Sequence, residues 1–231
     1  NRGTVEHVSD DRKQTSLDEY YQGLSQIQRE AIEAVAMDMW DPYVASTRAH
    51  LSDAARKIVY DKFHIMKHVN EAVNQVRKQE HRQLMADDDD TLKGSKYLWL
   101  YSKENLPENR RHEFSVLKNE ALKVGRAWAI KESLRELWNY VYPEAANKFW
   151  KRWYFWATHS RLEPIRKAAA LIKRHIANVL TYFHHRITNA VCEGLNSKIQ
   201  TIKKMAYGFR NKDHFKIAIY FHCGGLDLYP C

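Results

Sequence analysis

A long stretch in the second half of the chain has no β-strand pattern. From Arg110 to Phe183 the apolar residues recur at helical spacing, and prolines near Pro107, Pro143 and Pro164 mark the main interruptions. Only 8 glycines and 5 prolines occur in 231 residues, few enough for long regular segments. The sequence therefore predicts a helix-rich protein with an all-helical part over residues 87–183.

The residues before this helical part alternate between strand-like and helix-like segments. A long amphipathic helix is predicted over Lys62–Met85, and a shorter one over Tyr43–Leu51. Three segments are apolar or alternating enough to form strands: Thr4–Val8, Ile32–Met37 and Lys57–Tyr60. A β-α-β-α order of this kind indicates an α/β sheet, so we expect an α/β core over residues 1–86.

The last part of the chain returns to this core. A long helix is predicted over Ile187–Ala206, and a final short element over His214–Phe221. We therefore predict three parts: residues 1–86 and 184–231 form the core, and residues 87–183 are inserted between them.

Charge is spread unevenly along the chain. Lysine and arginine number 37 against 28 aspartates and glutamates, for a net charge of +9, but residues 1–92 are net acidic and residues 93–180 are strongly basic. This division indicates a polyanion partner held next to a carboxylate-rich site. A surface charge that only keeps the protein in solution explains the same numbers equally well.

Several classes of protein are excluded or disfavoured by what the sequence lacks. The three cysteines form no C-x-x-C pair, and no glycine-rich nucleotide-binding motif or serine-hydrolase motif occurs. No run of residues has the length and apolarity of a membrane span or of a signal peptide. We expect a cytoplasmic protein without a membrane partner.

Two aspartates follow the second and third predicted strands. Asp38 comes directly after Ile32–Met37, and Asp61 comes directly after Lys57–Tyr60. The carboxyl ends of strands in open α/β sheets are where ligands gather, and paired carboxylates suit Mg²⁺ or Mn²⁺ in phosphodiester chemistry. An aspartate at a strand end is as often a helix N-cap, so both interpretations stay open.

Glu193 is a third candidate carboxylate, on the last long helix. It lies in a polar stripe opposite an apolar one, the polar members being Asn189, Glu193, Asn196 and Gln200. A solvated helix face would show the same pattern. The helix and the loop after it also carry cations suited to DNA phosphates: Lys198, Lys203, Lys204 and Arg210.

Tryptophans are concentrated in the helical part. Trp150, Trp153 and Trp156 follow one another at i, i+3 and i+6, which places them on roughly one helix face. The core of a helical bundle is the favoured interpretation, and a platform for stacking nucleic-acid bases is the alternative.

Several motifs occur together and in order along the chain. They are Ala34–Trp40, Asp61–Lys67, Leu92–Leu100, Glu193–Ile199, Gly208–Asn211 and Cys223–Leu226. Together they resemble the DDE transposases of the ISL-three insertion-sequence family, from about Thr4 to the end of the chain. The resemblance implies a ribonuclease-H-like core interrupted by a helical insertion, and Mg²⁺- or Mn²⁺-dependent DNA strand cleavage and transfer at the ends of an insertion sequence.

The same resemblance assigns roles to single residues. Asp38 matches the second catalytic aspartate and metal ligand of the family, Glu193 matches its catalytic glutamate and metal ligand, and Asp61 and His64 match an accessory motif near the site. The first aspartate of the family belongs to a strand that precedes the region matching Thr4–Val8. We therefore expect an incomplete core, the carboxyl-terminal portion of a transposase that acts on double-stranded DNA as a homo-oligomer.

A function of a different class is kept beside this one. Because the first aspartate is missing, the chain could be a catalytically inactive DNA-binding or interaction protein whose basic helical part holds DNA or a second subunit. Salt-sensitive DNA affinity without cleavage in any metal would favour that alternative. A remnant that cannot fold without its central strand is the third option.

Overall fold

The computed structural model describes residues 3–120, 122–188 and 190–226. Packing divides the chain into two compact units. The first comprises the described residues up to Val59 and from Arg186 onward, and the second is Tyr60–His185. The second unit is thus inserted into the sequence of the first. Asn189, which was predicted to belong to the polar stripe, lies outside the described residues.

Helices dominate both units. In chain order the described elements are α1 (Gln14–Gly23), α2 (Gln26–Glu30), β1 (Val35–Met37), α3 (Asp41–His50), α4 (Ala54–Lys57), β2 (Ile58–Tyr60), α5 (Lys62–Ala86), α6 (Lys96–Leu100), α7 (Arg111–Asn119), α8 (Lys123–Arg135), α9 (Pro143–His159), α10 (Glu163–Leu180), α11 (Tyr182–His185), α12 (Ala190–Met205) and α13 (Lys212–Cys223), with 3₁₀ turns at Glu108–Arg110 and Glu136–Asn139.

A two-stranded parallel sheet is formed by β1 and β2. The helical crossover through α3 and α4 joins the two strands, as parallel pairing requires. Both strands are shorter than predicted, with three residues each, and β2 is fully buried. The helix-rich α/β class predicted from the sequence is confirmed.

The predicted strand at Thr4–Val8 is wrong. These residues are not in a strand. Their backbone bonds instead to α13: the Val5 amide donates to the Cys223 carbonyl (2.8 Å), and the Val8 amide donates to the Tyr220 hydroxyl (2.9 Å). Alternation of side chains indicates a strand only if a second strand is available to pair, and no described strand pairs with this segment.

The first unit is held together around α1 and α3. Tyr21 is 2% exposed, its hydroxyl lies 3.1 Å from the Thr47 hydroxyl, and its ring stacks on His50 with 5.6 Å between the centroids. A buried tyrosine needs a partner for its hydroxyl, and α3 supplies one. Helix α1 thus packs on α3 through this tyrosine.

The second unit has its core between α5, α8, α9 and α10. The helix predicted over Lys62–Met85 is confirmed with one residue more at its end. Glu80 of this helix is buried, and its carboxylate accepts from the Lys123 amide (2.6 Å) and the Val124 amide (2.8 Å) at the start of α8. Helix α5 thereby supplies the N-terminal cap that the sequence of α8 lacks.

The tryptophan stripe of α9 belongs mainly to the core. Trp150 is 5% exposed and Trp153 is 2% exposed, and the Trp153 indole donates to the Ile130 carbonyl (2.8 Å). The core interpretation is confirmed for these two residues. Trp156 is different, because 39% of it is exposed.

The prediction set its first domain boundary after residue 86, whereas packing places α5 with the helices that follow it.

No helix among the described residues combines the length and apolarity needed to cross a bilayer.

Candidate catalytic site

Asp38 lies directly after β1, where the sequence placed it. Its carboxylate is half-buried and lies 3.8 Å from the Arg12 guanidinium. The same guanidinium lies over the Trp40 ring, 5.8 Å from its centroid, and the Trp40 indole donates to the Arg12 carbonyl (3.2 Å). Trp40 thus holds Arg12 at the end of β1, so the cation stays beside Asp38.

Asp61 lies directly after β2 and begins α5. It is buried, and its carboxylate accepts a hydrogen bond of 2.5 Å from the Phe63 amide, which makes it the N-cap of that helix. His64 lies in the first turn, with its ring edge-on to Phe63 at 5.6 Å. Of the two interpretations left open for Asp61, the helix cap is thereby present in the structure. The accessory role of both residues stays a prediction.

Glu193 lies in the first turn of α12 and is exposed. The predicted apolar stripe of this helix is only half-buried at Leu195, Ile199 and Ile202, and no described residue of α12 is fully buried. Helix α12 packs on α13. The carboxylate of Glu193 is therefore open to solvent, in the first turn, where the helix dipole favours a negative charge.

The four predicted DNA-binding cations fall into two groups. Lys198 donates from its ammonium to the His222 carbonyl in the last turn of α13. Lys203, Lys204 and Arg210 are exposed near the far end of α12 and form no ion pair with a described residue. These three are open to solvent, whereas Lys198 joins two helices.

A sharp turn separates α12 from α13 beside these cations. The Gly208 amide donates to the Lys203 carbonyl (2.9 Å), and the Tyr207 amide donates to the Lys204 carbonyl (3.0 Å). Both Tyr207 and Gly208 have positive φ, 50° and 95°. This is the Schellman arrangement, which closes the end of a helix with a left-handed residue.

A groove of about 620 Å³ lies within the first unit. Its wall includes Arg12, the partner of Asp38, together with Cys192 and Asn196, which flank Glu193 on α12. The groove also carries Asp11, whose pKa is held well below its usual range by hydrogen bonds from Lys13 and Ser16. The neighbourhoods of both predicted catalytic carboxylates thus meet in one groove, although Glu193 itself is not among its lining residues.

A complete metal site is not formed by the described residues. No three histidine, cysteine, aspartate or glutamate side chains among them are close enough together to hold an ion. Asp38 and Glu193 have the right donor chemistry for Mg²⁺ or Mn²⁺, since both are carboxylates. The described residues therefore offer two candidate carboxylates but no formed site.

Arg12 was missed by sequence reasoning. It lies in a polar segment, 26 positions before its partner Asp38. No periodicity or motif connects two residues so far apart, and only the tertiary fold brings them together.

Comparison with known proteins gives a consistent assignment. A family model described as transposase matches residues 1–219. The transposase for insertion sequence element IS1001 of Bordetella parapertussis is 30% identical over 191 residues, which are 81% of this chain and 47% of that protein. The transposase for insertion sequence element IS1557 of Mycobacterium tuberculosis is 30% identical over 120 residues, 52% of this chain and 27% of that protein.

The chain thus spans about half the length of the first of these relatives and less of the second. No solved structure matches it. The match of the family model over nearly the whole chain, in agreement with the motifs at Asp38 and Glu193, decides the family. The chain belongs to the ISL-three family of DDE transposases.

Proposed function

We propose that this chain forms the carboxyl-terminal part of the catalytic core of a transposase that cleaves and joins DNA strands at the ends of an insertion sequence. Asp38 and Glu193 are its catalytic carboxylates. The observation that carries the proposal is the groove of the first unit, whose wall includes the arginine paired with Asp38 and two neighbours of Glu193. A cleft of this size with convergent charged groups is the usual form of an active site.

A ribonuclease-H-like architecture fits the arrangement of elements. The strand β1, the crossover helices and β2 as far as Val59 belong to the first unit, and the helices of the second unit are inserted between β2 and α12. On this proposal residues 1–86 and 184–231 belong to the catalytic core, and residues 87–183 form the insertion. The insertion separates Asp38 from Glu193 in sequence but not in fold.

The metal is Mg²⁺ or Mn²⁺, with Asp38 and Glu193 as ligands from this chain. When bound, such ions supply the positive charge that stabilises a phosphodiester displacement. The role of Arg12 is to orient the Asp38 carboxylate, from which its guanidinium lies 3.8 Å away. A third carboxylate comes from outside this chain: the relatives are longer, and no described strand pairs with the other edge of β1.

DNA is held near the site by the cations of α12 and its following loop. Lys203, Lys204 and Arg210 contact phosphates, and Lys198 holds α12 on α13 so that these cations keep their position. Each phosphate contact on duplex DNA contributes about 0.9 to the slope of log affinity against log salt. The protein acts in the bacterial cytoplasm on DNA at the nucleoid, as a homo-oligomer that holds the element ends together.

The test is DNA cleavage by the protein expressed from the whole reading frame that encodes this chain. The substrate is a plasmid that carries the element ends, with Mg²⁺ added. Asp38→Asn and Glu193→Gln each keep the size of the side chain, remove its charge and are expected to abolish cleavage while DNA binding persists. Asp41→Asn is the matched control, since Asp41 is an exposed aspartate three residues away. Wild-type cleavage by either catalytic variant would contradict the proposal.

The alternative from another class is a DNA-binding protein without catalysis. The observation that favours it is the lack of a three-residue metal cluster among the described residues. It predicts DNA affinity that falls steeply with salt, and no cleavage in Mg²⁺ or Mn²⁺ by the protein from the whole reading frame.

A further inference from the structure

The outward face of α9 combines cations with exposed aromatic rings. Its inward face is apolar and buried in the core of the second unit, through Ala146, Trp150, Trp153 and Ala157. The outward residues recur at i, i+3, i+4, i+7, i+8 and i+11, so that they form one continuous stripe: Lys148, Lys151, Arg152, Phe155, Trp156 and His159. We call these six residues the α9 face.

No carboxylate balances the cations of the α9 face. Lys148, Lys151 and Arg152 are exposed and form no ion pair with a described residue. Two other cations of the same unit do have carboxylate partners: Arg110 pairs with Glu113 at 2.7 Å, and Lys167 pairs with Glu163 at 2.7 Å. From Pro143 to Leu180 the sequence has eight lysines and arginines against two glutamates. The α9 face therefore has a positive potential that attracts a polyanion.

The aromatic members of the α9 face are left open to solvent. Phe155 is 64% exposed and Trp156 is 39% exposed, while Trp150 and Trp153 on the opposite side are buried. The Phe155 ring stacks on the His159 ring with 3.9 Å between centroids, so one of its faces is already occupied by a flat partner. Exposed aromatic rings next to unpaired cations are the combination with which proteins hold unpaired nucleotides.

The cationic surface continues from α9 onto α10. The Lys173 ammonium lies over the Tyr154 ring, 4.9 Å from its centroid, and Lys173 is exposed. Helices α9 and α10 pack against each other within the second unit. A strand that follows the α9 face would therefore meet a further cation on the neighbouring helix.

We propose that the α9 face binds DNA at an unpaired stretch, with Lys151 and Arg152 on phosphates and Trp156 and Phe155 stacked on a base. The proposal rests on the proposed function, because DNA is the polyanion such a protein meets. An unpaired base is required because bases inside a duplex are stacked on their neighbours and offer no open face to a ring. A lipid surface does not fit, since the stripe has only two large apolar residues and no apolar band.

Binding is tested with the 231-residue chain in EDTA, by fluorescence anisotropy. The probes are a labelled 20-nucleotide single strand, a blunt 20-base-pair duplex and the same duplex with a 3′ overhang. Lys151→Ala/Arg152→Ala removes two phosphate contacts and is expected to make the salt slope on the single strand shallower by about 1.4. Lys78→Ala/Arg82→Ala is the matched control, since both residues are exposed cations on α5 of the same unit. It is expected to leave the slope unchanged.

Stacking is tested by Trp156→Ala and Phe155→Ala. Each is expected to weaken binding of the overhang duplex by about 5- to 150-fold and binding of the blunt duplex by less than about 2-fold. Trp156→Phe keeps a ring and is expected to retain most of the affinity. Because Trp156 is partly packed, thermal unfolding of each variant is measured first, and the more exposed Phe155→Ala carries the test if Trp156→Ala does not fold.

Two results would overturn the proposal. The first is that Lys78→Ala/Arg82→Ala and Lys151→Ala/Arg152→Ala make the salt slope on the single strand equally shallow. The second is that the aromatic variants lose equal affinity for the blunt duplex and the overhang duplex. Failure of the proposed catalytic function would be seen in a different measurement. A protein that does not cleave DNA would still show the binding differences measured in EDTA. A protein that cleaves normally but whose α9 face variants bind DNA like wild type would reject only the present inference.

Discussion

Lys131 is a buried lysine in the core of the second unit, and its titration makes a prediction that can be worked in numbers. It is 1% exposed. Its ammonium donates to the backbone carbonyls of Trp99 (3.0 Å), Leu100 (3.4 Å) and Tyr101 (2.7 Å) and lies 3.2 Å from the Glu132 carboxylate. Lys131 thus satisfies the carbonyls that α6 leaves unbonded at its end.

Burial lowers the pKa of Lys131 from its ordinary value of 10.5 to about 8, and Glu132 opposes that shift only in part. Between these two pH values the unfolded chain binds a proton that the folded chain has released. The free energy of unfolding therefore rises with pH in this window. With about 1.4 kcal/mol per pKa unit, the gain between pH 7 and pH 10 is about 2–3 kcal/mol.

The assay compares wild type with Lys131→Met by urea unfolding at pH 7, 8, 9 and 10. Other lysines titrate in both proteins, so the difference in free energy of unfolding isolates Lys131. Tryptophan fluorescence follows the second unit, because six of the seven tryptophans lie there. The stability advantage of wild type over the variant is expected to grow by about 2–3 kcal/mol from pH 7 to pH 10.

Lys78→Met serves as the control, since Lys78 is exposed on α5. Its difference from wild type is expected to stay flat over the same range. A flat or falling difference for Lys131→Met would refute the reasoning, because a lysine that is stabilised as a cation in the fold cannot produce a rise. A difference in free energy of unfolding that changes only at pH 7 and below would also refute it.

Three smaller effects follow from local geometry. Tyr207 has left-handed backbone at φ 50°, and Tyr207→Gly is expected to stabilise the first unit by about 0.5–1 kcal/mol because glycine adopts this conformation without strain. Ala206→Gly, one residue earlier, is expected to destabilise the same unit, and thermal unfolding of both variants measures the difference. Glu80→Gln places an amide N–H opposite a backbone N–H of α8 and is expected to lower the free energy of unfolding in urea by about 1–2 kcal/mol. Glu71 is exposed on the same helix, so Glu71→Gln is expected to leave that free energy unchanged. Asp61→Ala removes the N-cap of α5 and is expected to lower the free energy of unfolding by about 1 kcal/mol. Asp61→Ser supplies a capping hydroxyl and is expected to recover most of that loss. Equal stability of the alanine and serine variants would show that the cap is unimportant.

Helix α5 shows how far local sequence reaches. The apolar spacing from Phe63 onward predicted a helix over Lys62–Met85, and the helix is Lys62–Ala86. This spacing repeats every few residues, so neighbouring residues suffice to specify it. The same reasoning placed Asp38 and Asp61 directly after strands, and β1 and β2 end there.

The structure of Thr4–Val8 and the exposure of Trp156 could not be predicted from neighbouring residues. An alternating segment forms a strand only beside another strand, and here α13 takes its backbone hydrogen bonds. The spacing of Trp150, Trp153 and Trp156 is regular, yet the last ring is partly open because no neighbouring helix covers that turn of α9 completely. In both cases the outcome depends on which distant element is present.

The sequence by itself determined the helix-rich α/β class, the two strand ends that carry aspartates, and the family to which the chain belongs, because these depend on short-range patterns and on motifs in order. Only the tertiary structure decided that Arg12 meets Asp38, that Lys131 is buried against carbonyls, and that one face of α9 stays cationic and open. Those features depend on residues brought together from far apart in the chain, and the energy of burying or pairing a charge exists only once packing has removed water around it.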